Sequence, residues 1–537
     1  MRTFCVLSLL LSASCATEAE APDSPAATDA GSTPTNPLEI TTDQGVVEGL
    51  EEEGLRVFRG IPYAAPPVGD LRFKPTQEPP VWEGTRAAHT MSPRCPQPRS
   101  ETDRWAMDED CLTLNIWAHP PSDALKPVMV WIHGGNLTQG SSSNPVYQGD
   151  HIALDGDVIV VSINYRLGLL GYLATTGLRS EAGGQAGNYG LYDQVQALRW
   201  IQSNIQAFGG DPDQVTLFGE SAGALSVCAL MGSPAASDLF ARAIMQSGSC
   251  WRVTPLVAID DGASGVGRGQ VALDALGCGG TDEVACLRSK SVDQVLAAQA
   301  TEGLETGLVV EGQGGLLPSQ PIDAFEAGLT PDRPVLIGSN RHESSLWEAG
   351  NRYTPESYQA WVSSWVNALF TNQEFANYVI VELLRMYPAN NDLEAWWARV
   401  AMDTDIWFTC PALALAKVAS GGSEPAYAYF FDHSPENSQL SALGASHGFE
   451  LSFLFGTPDQ MGAYTYTPTA NGLRVGNDMR TAWTDFAHGR PPAPPEDWPE
   501  YNAQAPRWGE FATSASSVVD EINEGRCDRL RPLYLAR

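Results

Sequence analysis

The chain has 537 residues, and 43% of them are hydrophobic, which is enough to build a large buried core. Its formal net charge of −32 argues against nucleic acid or anionic lipid as a partner, because their phosphates would be repelled. The same charge favours solubility and the attraction of cationic ligands. Beyond the first residues, no run is apolar for long enough to span a bilayer.

The N-terminus has the pattern of a secretory signal. A positive start at residues 1–3 precedes a short apolar run at 4–11, and small residues then lead to Cys15. We expect residues 1–14 to be a lipoprotein-type signal with Cys15 lipidated, although Ser12 stands where a leucine is usual. Ordinary cleavage near Ala16 is the alternative.

The segment 15–37 is rich in Ala, Pro, Thr, Ser and acids, which predicts a flexible tether before a folded domain at 38–537. The protein would then be exported, as an outer-membrane or cell-surface lipoprotein or as a secreted or periplasmic protein. Any contact with the membrane would be made only through a possible N-terminal lipid anchor.

The chain contains 10 cysteines, of which Cys5 and Cys15 belong to the signal. The others would face an oxidising compartment, where disulfides persist. Cys95 and Cys111 lie close in sequence, as do Cys278 and Cys286, and Cys410 and Cys527 could close the C-terminus over a long range. We therefore expect the pairs Cys95–Cys111, Cys278–Cys286 and Cys410–Cys527. Cys228 and Cys250 remain, and Cys228 fits a buried free thiol. No C-x-x-C or H-E-x-x-H motif occurs, so we expect no metal site.

Buried strands alternate with helices from residue 128 onward. Apolar runs at 128–132 and 158–166 predict strands, and the apolar spacing between 191 and 205 is helical. Further strand-like runs follow at 243–248 and 335–338. This alternation predicts an α/β fold with a large, mostly parallel central sheet flanked by helices, with loop and helical insertions.

The strongest functional signal is the G-x-S-x-G motif around Ser221. A short apolar strand at 214–218 precedes it and an apolar helix at 222–230 follows it. Strand, motif and helix together predict a sharp turn that holds the serine in strained backbone geometry and exposes its hydroxyl. The glycines at 219 and 223 let the strand and the helix pass close together.

These segments and several others occur in the order found in one family, and the chain resembles the type-B carboxylesterases, the cholinesterase-like branch of the α/β-hydrolase fold. The resemblance runs from about residue 38 to the end, and no single motif carries it. Its motifs include 58–64 (FRGIPYA), 109–116 (EDCLTLNI), 133–136 (HGGN), 187–194 (GNYGLYDQ), 208–212 (FGGDP), 338–343 (GSNRHE) and 444–450 (GASHGFE).

A serine hydroxyl is too weak an acid to attack an ester unaided, so Ser221 needs a base and a carboxylate that orients the base. His447 and His488 follow at useful spacing, whereas His433 looks structural. The resemblance places the base at His447, in a loop-like segment. A histidine base predicts loss of activity on the acid side with an apparent pKa of about 6 to 7.

The resemblance also assigns the acid to Glu343, which follows a predicted strand in the order serine, acid, histidine that this fold uses. Glu220 and Glu450 match other family positions. They are expected close to the three reacting residues, without being the acid.

Four backbone N–H groups are expected to stabilise the developing oxyanion. Ala222, the residue after the serine, supplies one, and Gly134, Gly135 and Asn136 supply the others. The family usually has a third glycine where this chain has Asn136. Asparagine tolerates positive φ, so the donors are retained, but the side chain either restricts bulky alcohol groups or itself donates to the substrate.

The resemblance implies a serine carboxylic-ester hydrolase that forms an acyl-enzyme on a small-molecule ester and needs no cofactor. Cholinesterase, lipase and serine peptidase specificities are alternatives, as is a non-catalytic binding protein of the same family. Trp105 lies inside the loop that Cys95–Cys111 would close, roughly where cholinesterases stack choline. Packing is the alternative role for Trp105, and the sequence does not indicate the oligomeric state.

Overall fold

The computed structural model describes residues 36–99, 105–249, 257–258, 265–280, 282–301, 304, 306–436, 438–460, 466–520 and 522–535. The predicted signal, Cys15 and nearly all of the predicted tether lie outside these ranges. From Pro37 onward the chain forms one compact unit.

Sixteen strands are present in the described residues. In chain order they are β1 (Glu39–Thr42), β2 (Gly45–Glu48), β3 (Leu50–Glu52), β4 (Leu55–Pro62), β5 (Thr85–Ala87), β6 (Thr113–Ala118), β7 (Lys126–Ile132), β8 (Ile159–Ile163), β9 (Gly210–Glu220), β10 (Arg242–Gln246), β11 (Val257–Ala258), β12 (Val309–Val310), β13 (Val335–Asn340), β14 (Ala426–Asp432), β15 (Trp508–Ala512) and β16 (Ser516–Val519).

Eleven of these strands form the central sheet, in the order β16-β15-β14-β13-β10-β9-β7-β8-β6-β4-β3. In this order, each neighbouring pair of strands between β15 and β8 is parallel. Antiparallel strands extend the sheet at both edges. The predicted mostly parallel sheet is therefore confirmed, and the carboxyl ends of its central strands meet at one edge.

Helices cover both faces of the sheet. Those in the described residues are α1 (Asp150–Gly156), α2 (Gly168–Tyr172), α3 (Thr176–Glu181), α4 (Tyr189–Asn204), α5 (Ala222–Met231), α6 (Gly265–Leu276), α7 (Glu283–Ser289), α8 (Val292–Gln299), α9 (Pro321–Glu326), α10 (Ser345–Glu348), α11 (Pro355–Leu369), α12 (Gln373–Met386), α13 (Asp392–Thr404), α14 (Cys410–Ala419), α15 (Phe449–Leu454), α16 (Ala470–Ala487) and α17 (Arg526–Leu535).

Strand β7 shows why the sheet is buried on both faces. Its side chains alternate, as they must in a strand. Val128, Val130 and Ile132 join the core beneath α4 and α5, whereas Met129 and Trp131 join the core beneath α15 and α16. A strand whose side chains pack into a core on each face of the sheet has to be apolar at every position. This accounts for the continuous apolar run in the sequence.

The predicted elements around the site are confirmed, with small changes at their ends. The run expected as a strand at 158–166 forms β8 only as far as Ile163, because the next three residues make buried side-chain contacts in a loop. The helical spacing between 191 and 205 corresponds to α4, which continues into a short 3₁₀ turn.

The three predicted disulfides, Cys95–Cys111, Cys278–Cys286 and Cys410–Cys527, are present. The interpretation of Cys228 as a free thiol was wrong, since this residue is also disulfide-bonded. Disulfides of this kind are typical of exported proteins. Within the described ranges, no helix is long and apolar enough to cross a membrane.

Candidate active site

Ser221 lies at the sharp turn between β9 and α5, where the sequence predicted it. Its backbone adopts φ 56° and ψ −120°, a conformation that non-glycine residues rarely take. The Ser221 N–H donates to the carbonyl of Gln246 at 2.8 Å, and the Ser221 carbonyl accepts from Leu225 N–H at 3.0 Å. These bonds hold the strained turn from both sides, and the side chain remains half-buried at the end of the strand.

Glycines around the turn allow three backbone segments to approach one another. A Cβ atom on Gly219 would lie 2.7 Å from the carbonyl carbon of Gly223, and one on Gly223 would lie 2.0 Å from the carbonyl oxygen of Ile132. A Cβ atom on Gly134 would lie 2.7 Å from a Glu220 carboxylate oxygen. Any larger residue at these positions would push β7, β9 and α5 apart and displace Ser221.

His447 and Glu343 meet at the same edge of the sheet. Glu343 follows β13, and His447 lies in the loop before α15. His447 Nδ1 lies 2.7 Å from Glu343 Oε2, and the His447 backbone N–H donates to the Glu343 carbonyl at 3.1 Å. The other carboxylate oxygen of Glu343 accepts from the backbone N–H of Asn340 at 2.7 Å. Both residues are therefore fixed in orientation.

The second ring nitrogen of His447 faces another carboxylate. His447 Nε2 lies 3.0 Å from Glu220 Oε1. Burial would lower the pKa of His447, but the carboxylates of Glu220 and Glu343 outweigh it and hold this pKa well above its usual range. The pKa of about 6 to 7 expected from the sequence is therefore too low.

Glu450 completes the buried cluster. It accepts hydrogen bonds from Asn340 Nδ2 at 2.5 Å and from Gln246 Nε2 at 3.3 Å. Burial, together with the charges of Glu220 and Glu343, raises the pKa of Glu450 to about 8. At neutral pH this carboxyl group is mainly protonated, which limits the negative charge around His447.

The other candidate histidines lie elsewhere. His488 Nε2 is bonded to the carbonyl of Gly156 at 2.9 Å, and His433 Nδ1 to the Thr513 hydroxyl at 2.8 Å. Both contacts are structural, which leaves His447 as the one of these three histidines that contacts Glu343 and Glu220.

The loop after β7 brings the predicted oxyanion donors beside Ser221. Tyr165 donates its hydroxyl to the His133 carbonyl at 2.7 Å, and Gly168 N–H donates to the Leu137 carbonyl at 2.7 Å, so the loop is anchored at both ends. Asn136 has a φ of 55°, which asparagine tolerates. Among the described residues, the N–H groups of Gly135, Asn136 and Ala222 have no protein acceptor.

A cavity of about 710 Å³ opens above Ser221. Ala222 and the exposed side chain of Asn136 line it on one side. The lining also includes the aromatic residues Trp347 and Phe408, whose ring centroids lie 5.3 and 4.9 Å from the His447 ring. Sequence analysis missed both aromatic residues, although Trp347 stands only four positions after Glu343 and could have been examined for that reason.

For Trp105 the sequence left cation binding and packing open. It is not among the residues described as lining this cavity. The guanidinium carbon of Arg94 lies 4.8 Å from the centroid of its ring, so the cation over Trp105 belongs to the protein itself.

Comparisons with known proteins identify the family of this chain. The model of the carboxylesterase family matches residues 36–530. The chain is 35% identical to the para-nitrobenzyl esterase of Bacillus subtilis (strain 168) over 477 residues, covering 87% of this chain and 93% of the relative. It is 34% identical to the fumonisin B1 esterase of Sphingopyxis macrogoltabida over 492 residues, covering 89% and 86% respectively.

A solved structure of a PNB esterase superposes with a TM-score of 0.79 at 31% identity, covering 92% of this chain and 99% of that one. This likeness and the sheet order together establish the α/β-hydrolase fold. The chain belongs to the carboxylesterase family and is a carboxylic-ester hydrolase that acts on small-molecule esters.

Proposed function

We propose that this hydrolase forms an acyl-enzyme on Ser221, with His447 as the general base and Glu343 as the carboxylate that orients it. The observation that carries the proposal is the 2.7 Å contact between His447 Nδ1 and Glu343 Oε2. His447 Nε2 meets Glu220, the residue directly before Ser221, and Ser221 is held in strained geometry in the lining of the cavity. Nδ1 is committed to Glu343, so Nε2 is the atom that exchanges protons.

In the first half of the reaction, Ser221 Oγ attacks the ester carbonyl carbon while His447 Nε2 takes the hydroxyl proton. The carbonyl oxygen becomes an oxyanion, and the free N–H groups of Gly135, Asn136 and Ala222 stabilise it, with Gly134 as the fourth candidate donor in the same loop. When the tetrahedral intermediate collapses, the bond to the alcohol oxygen breaks and His447 returns the proton to that oxygen. The alcohol leaves and the acyl group remains on Ser221.

In the second half, water replaces the alcohol. His447 Nε2 takes a proton from the water as its oxygen attacks the acyl carbon, and the same N–H groups stabilise the second oxyanion. Collapse breaks the bond to Ser221 Oγ, which regains the proton from His447. The carboxylic acid leaves, and the enzyme returns to its starting state.

Each imidazolium that forms in these steps lies between Glu343 and Glu220. Two carboxylates stabilise the charged ring, so they favour removal of the serine proton at the transition state. They also increase the fraction of His447 that is already protonated before substrate binds, and this fraction cannot act as a base.

We also propose that the enzyme is exported and held at a membrane surface by lipid on Cys15, with residues 1–14 removed and 15–37 acting as a tether to the catalytic domain at 38–537. The signal-like N-terminus supports export, and the disulfides are consistent with an oxidising compartment. Cys15 lies outside the described residues, so this proposal rests on sequence.

Replacing Ser221 by alanine removes the nucleophile without adding volume. We expect Ser221→Ala to lower kcat/KM for p-nitrophenyl acetate by about 10⁴-fold or more. The thermal unfolding midpoint should not fall, because the strained turn loses only one oxygen atom. Activity within tenfold of the wild type would rule out Ser221 as the nucleophile.

Glu220→Gln tests the charge next to His447. Removing this carboxylate lowers the pKa of His447, so the acid limb of the pH profile of kcat/KM should move to lower pH. Glu450→Gln is the matched control, because Glu450 is already mainly protonated and its replacement should move the limb little. A limb that stays in place or moves to higher pH in Glu220→Gln contradicts this account of the charges.

Asn136→Gly removes a side chain that projects into the cavity beside the oxyanion donors. We expect kcat/KM for tert-butyl acetate to rise relative to ethyl acetate, because the branched alcohol gains room. If the amide of Asn136 instead bonds the oxyanion, kcat falls for both esters by about 10²-fold. An unchanged ratio would show that the side chain does not restrict the alcohol.

Cys15→Ala tests the anchor. The wild-type enzyme should fractionate with membranes and the variant should be soluble, while both hydrolyse p-nitrophenyl acetate equally. Soluble wild-type enzyme with an N-terminus after Ala16 would refute the lipid anchor but leave export intact.

A further inference from the structure

A second cavity, of about 610 Å³, lies apart from the catalytic one, and the two share no described lining residue. One of its walls is a single face of α14, since Cys410, Leu413, Ala414 and Lys417 recur at the spacing of successive helical turns. Pro411, the residue after Cys410, lines the catalytic cavity, so α14 contributes to both. The second cavity has the size that small-molecule sites usually have.

The other walls of this cavity come from distant segments that are held in place. The Cys410–Cys527 disulfide joins α14 to the start of α17. The backbone N–H of Tyr501 donates to the Ala426 carbonyl in β14 at 2.6 Å, and Trp508 is the first residue of β15, which pairs with β14. Because a disulfide and the central sheet fix these walls, little ordering is needed when a ligand enters.

Two nearly buried aromatic residues in this lining carry polar groups without partners. Tyr501 is 5% exposed and Trp508 is 2% exposed, and their rings pack edge to face with centroids 6.0 Å apart. Within the described ranges, neither the Tyr501 hydroxyl nor the Trp508 indole N–H has a protein hydrogen-bond partner, and neither atom is completely enclosed. Buried tyrosine and tryptophan usually find partners for these groups, so both donors are available to a molecule in the cavity.

The charged residues of the lining do not favour an ion of either sign. Asp520 is paired with Arg507 at 2.6 Å, and Lys417 and Asp528 carry opposite charges. Much of the remaining lining is half-buried aliphatic surface that packs against the main core, at Leu413, Ala503 and Ile522. A ligand that removes this surface from water gains free energy, whereas an ion would lose its hydration without a dedicated counter-charge.

We propose that this cavity is a second ligand site, which binds a neutral, mainly apolar molecule whose carbonyl oxygen accepts hydrogen bonds from Tyr501 and Trp508. A carbonyl oxygen has two lone pairs, so it can accept from both donors at once. Burial raises the pKa of Tyr501 to about 12, so its hydroxyl keeps its proton at neutral pH. The lining includes neither Ser221 nor His447, so this proposal does not depend on the acyl-transfer mechanism.

Three fluorescent probes that share a naphthalene ring test the chemistry of the ligand. Prodan is neutral and mainly apolar, carries one ketone, and changes its emission wavelength when it leaves water. Dimethylaminonaphthalene is the matched probe without the carbonyl, and anilinonaphthalene sulfonate is an anion. We expect saturable binding of prodan, with a lower Kd than either of the other probes. Wild-type and Ser221→Ala enzyme should bind prodan equally, because the site lies outside the catalytic centre.

Tyr501→Phe removes one hydroxyl from the cavity wall. The Kd of prodan should rise between about threefold and tenfold, whereas the Kd of dimethylaminonaphthalene should not change, because that probe has no carbonyl. Tyr427→Phe is the matched control, since Tyr427 is also nearly buried but belongs to the core on the other face of the sheet. Both variants should hydrolyse p-nitrophenyl acetate at the wild-type rate.

Trp508→Phe removes the second donor and should weaken prodan binding in the same way. Trp407→Phe is its control, because Trp407 lines the catalytic cavity and not the second one. If prodan occupies the second cavity, Trp407→Phe leaves its Kd unchanged. Should Trp508→Phe fail to fold, Tyr501→Phe still tests whether the wall donates a hydrogen bond to the probe.

Ala414→Phe fills the second cavity from the side of α14 and should abolish saturable prodan binding. A ligand that binds only the folded state raises the thermal unfolding midpoint. Prodan should therefore raise the midpoint of the wild-type enzyme and of Tyr427→Phe, and leave the midpoint of Ala414→Phe unchanged. Hydrolysis of p-nitrophenyl acetate by Ala414→Phe shows that the variant is folded.

The outcomes separate this inference from the proposed mechanism. Absence of saturable prodan binding, or binding that survives Ala414→Phe and is lost in Trp407→Phe, refutes the second site. Equal effects of Tyr501→Phe on prodan and dimethylaminonaphthalene refute the hydrogen bonds to the carbonyl. Tighter binding of anilinonaphthalene sulfonate refutes the neutral ligand. Ester hydrolysis by Ser221→Ala would overturn the mechanism and leave the second site intact.

Discussion

The backbone of Ser221 is the constraint on which the rest of the site depends. Its φ of 56° and ψ of −120° cost about 1–3 kcal/mol and persist only where the surroundings leave no alternative. Here β7, β9 and α5 approach so closely that a Cβ atom on Gly223 would lie 2.0 Å from a neighbouring carbonyl oxygen. Relaxing the turn would require these three elements to separate, and each of them is packed in a buried core.

A second constraint is the burial of several acidic groups around one imidazole. Glu220, Glu343 and Glu450 are all nearly inaccessible, and buried carboxylates need partners. Glu343 and Glu220 find theirs in the two nitrogens of His447, whereas Glu450 is mainly neutral at pH 7. The arrangement stabilises the His447 imidazolium at the transition state. It also lowers the fraction of His447 that is neutral at low pH and able to act as a base. The pH range of the enzyme follows from this balance.

The fold and the sharp turn at Ser221 could be predicted because those features have local signals, whereas Glu343 and His447 were assigned through the resemblance to the family. The continuous apolar run of β7, the helical spacing within α4 and the glycines around Ser221 each specify their own conformation. Two of the disulfide pairs could also be predicted from close spacing, and Cys410–Cys527 as a long-range closure of the C-terminus. By contrast, the π-helical turn at Asp405–Thr409 has no local signal, and its aromatic residues reach the cavity only through packing of distant segments.

The errors have similar causes. The pKa of His447 was placed too low because the position of Glu220 Oε1, 3.0 Å from Nε2, depends on tertiary structure. For Trp105, cation binding and packing were both open from the sequence, and the contact with Arg94 over its ring also depends on tertiary structure. Local sequence indicates which residues are present, whereas charge and ring contacts across the fold determine what each can do.

The central claim is that the acyl group passes through Ser221. Rapid acid quenching of the enzyme with p-nitrophenyl acetate, followed by peptide mass spectrometry, measures this directly. The account predicts one acetyl group on the peptide that contains Ser221, appearing with a burst of p-nitrophenol of one equivalent per active site. Acetyl on another residue, or turnover without any burst or adduct when deacylation is slowed at low pH, would contradict it.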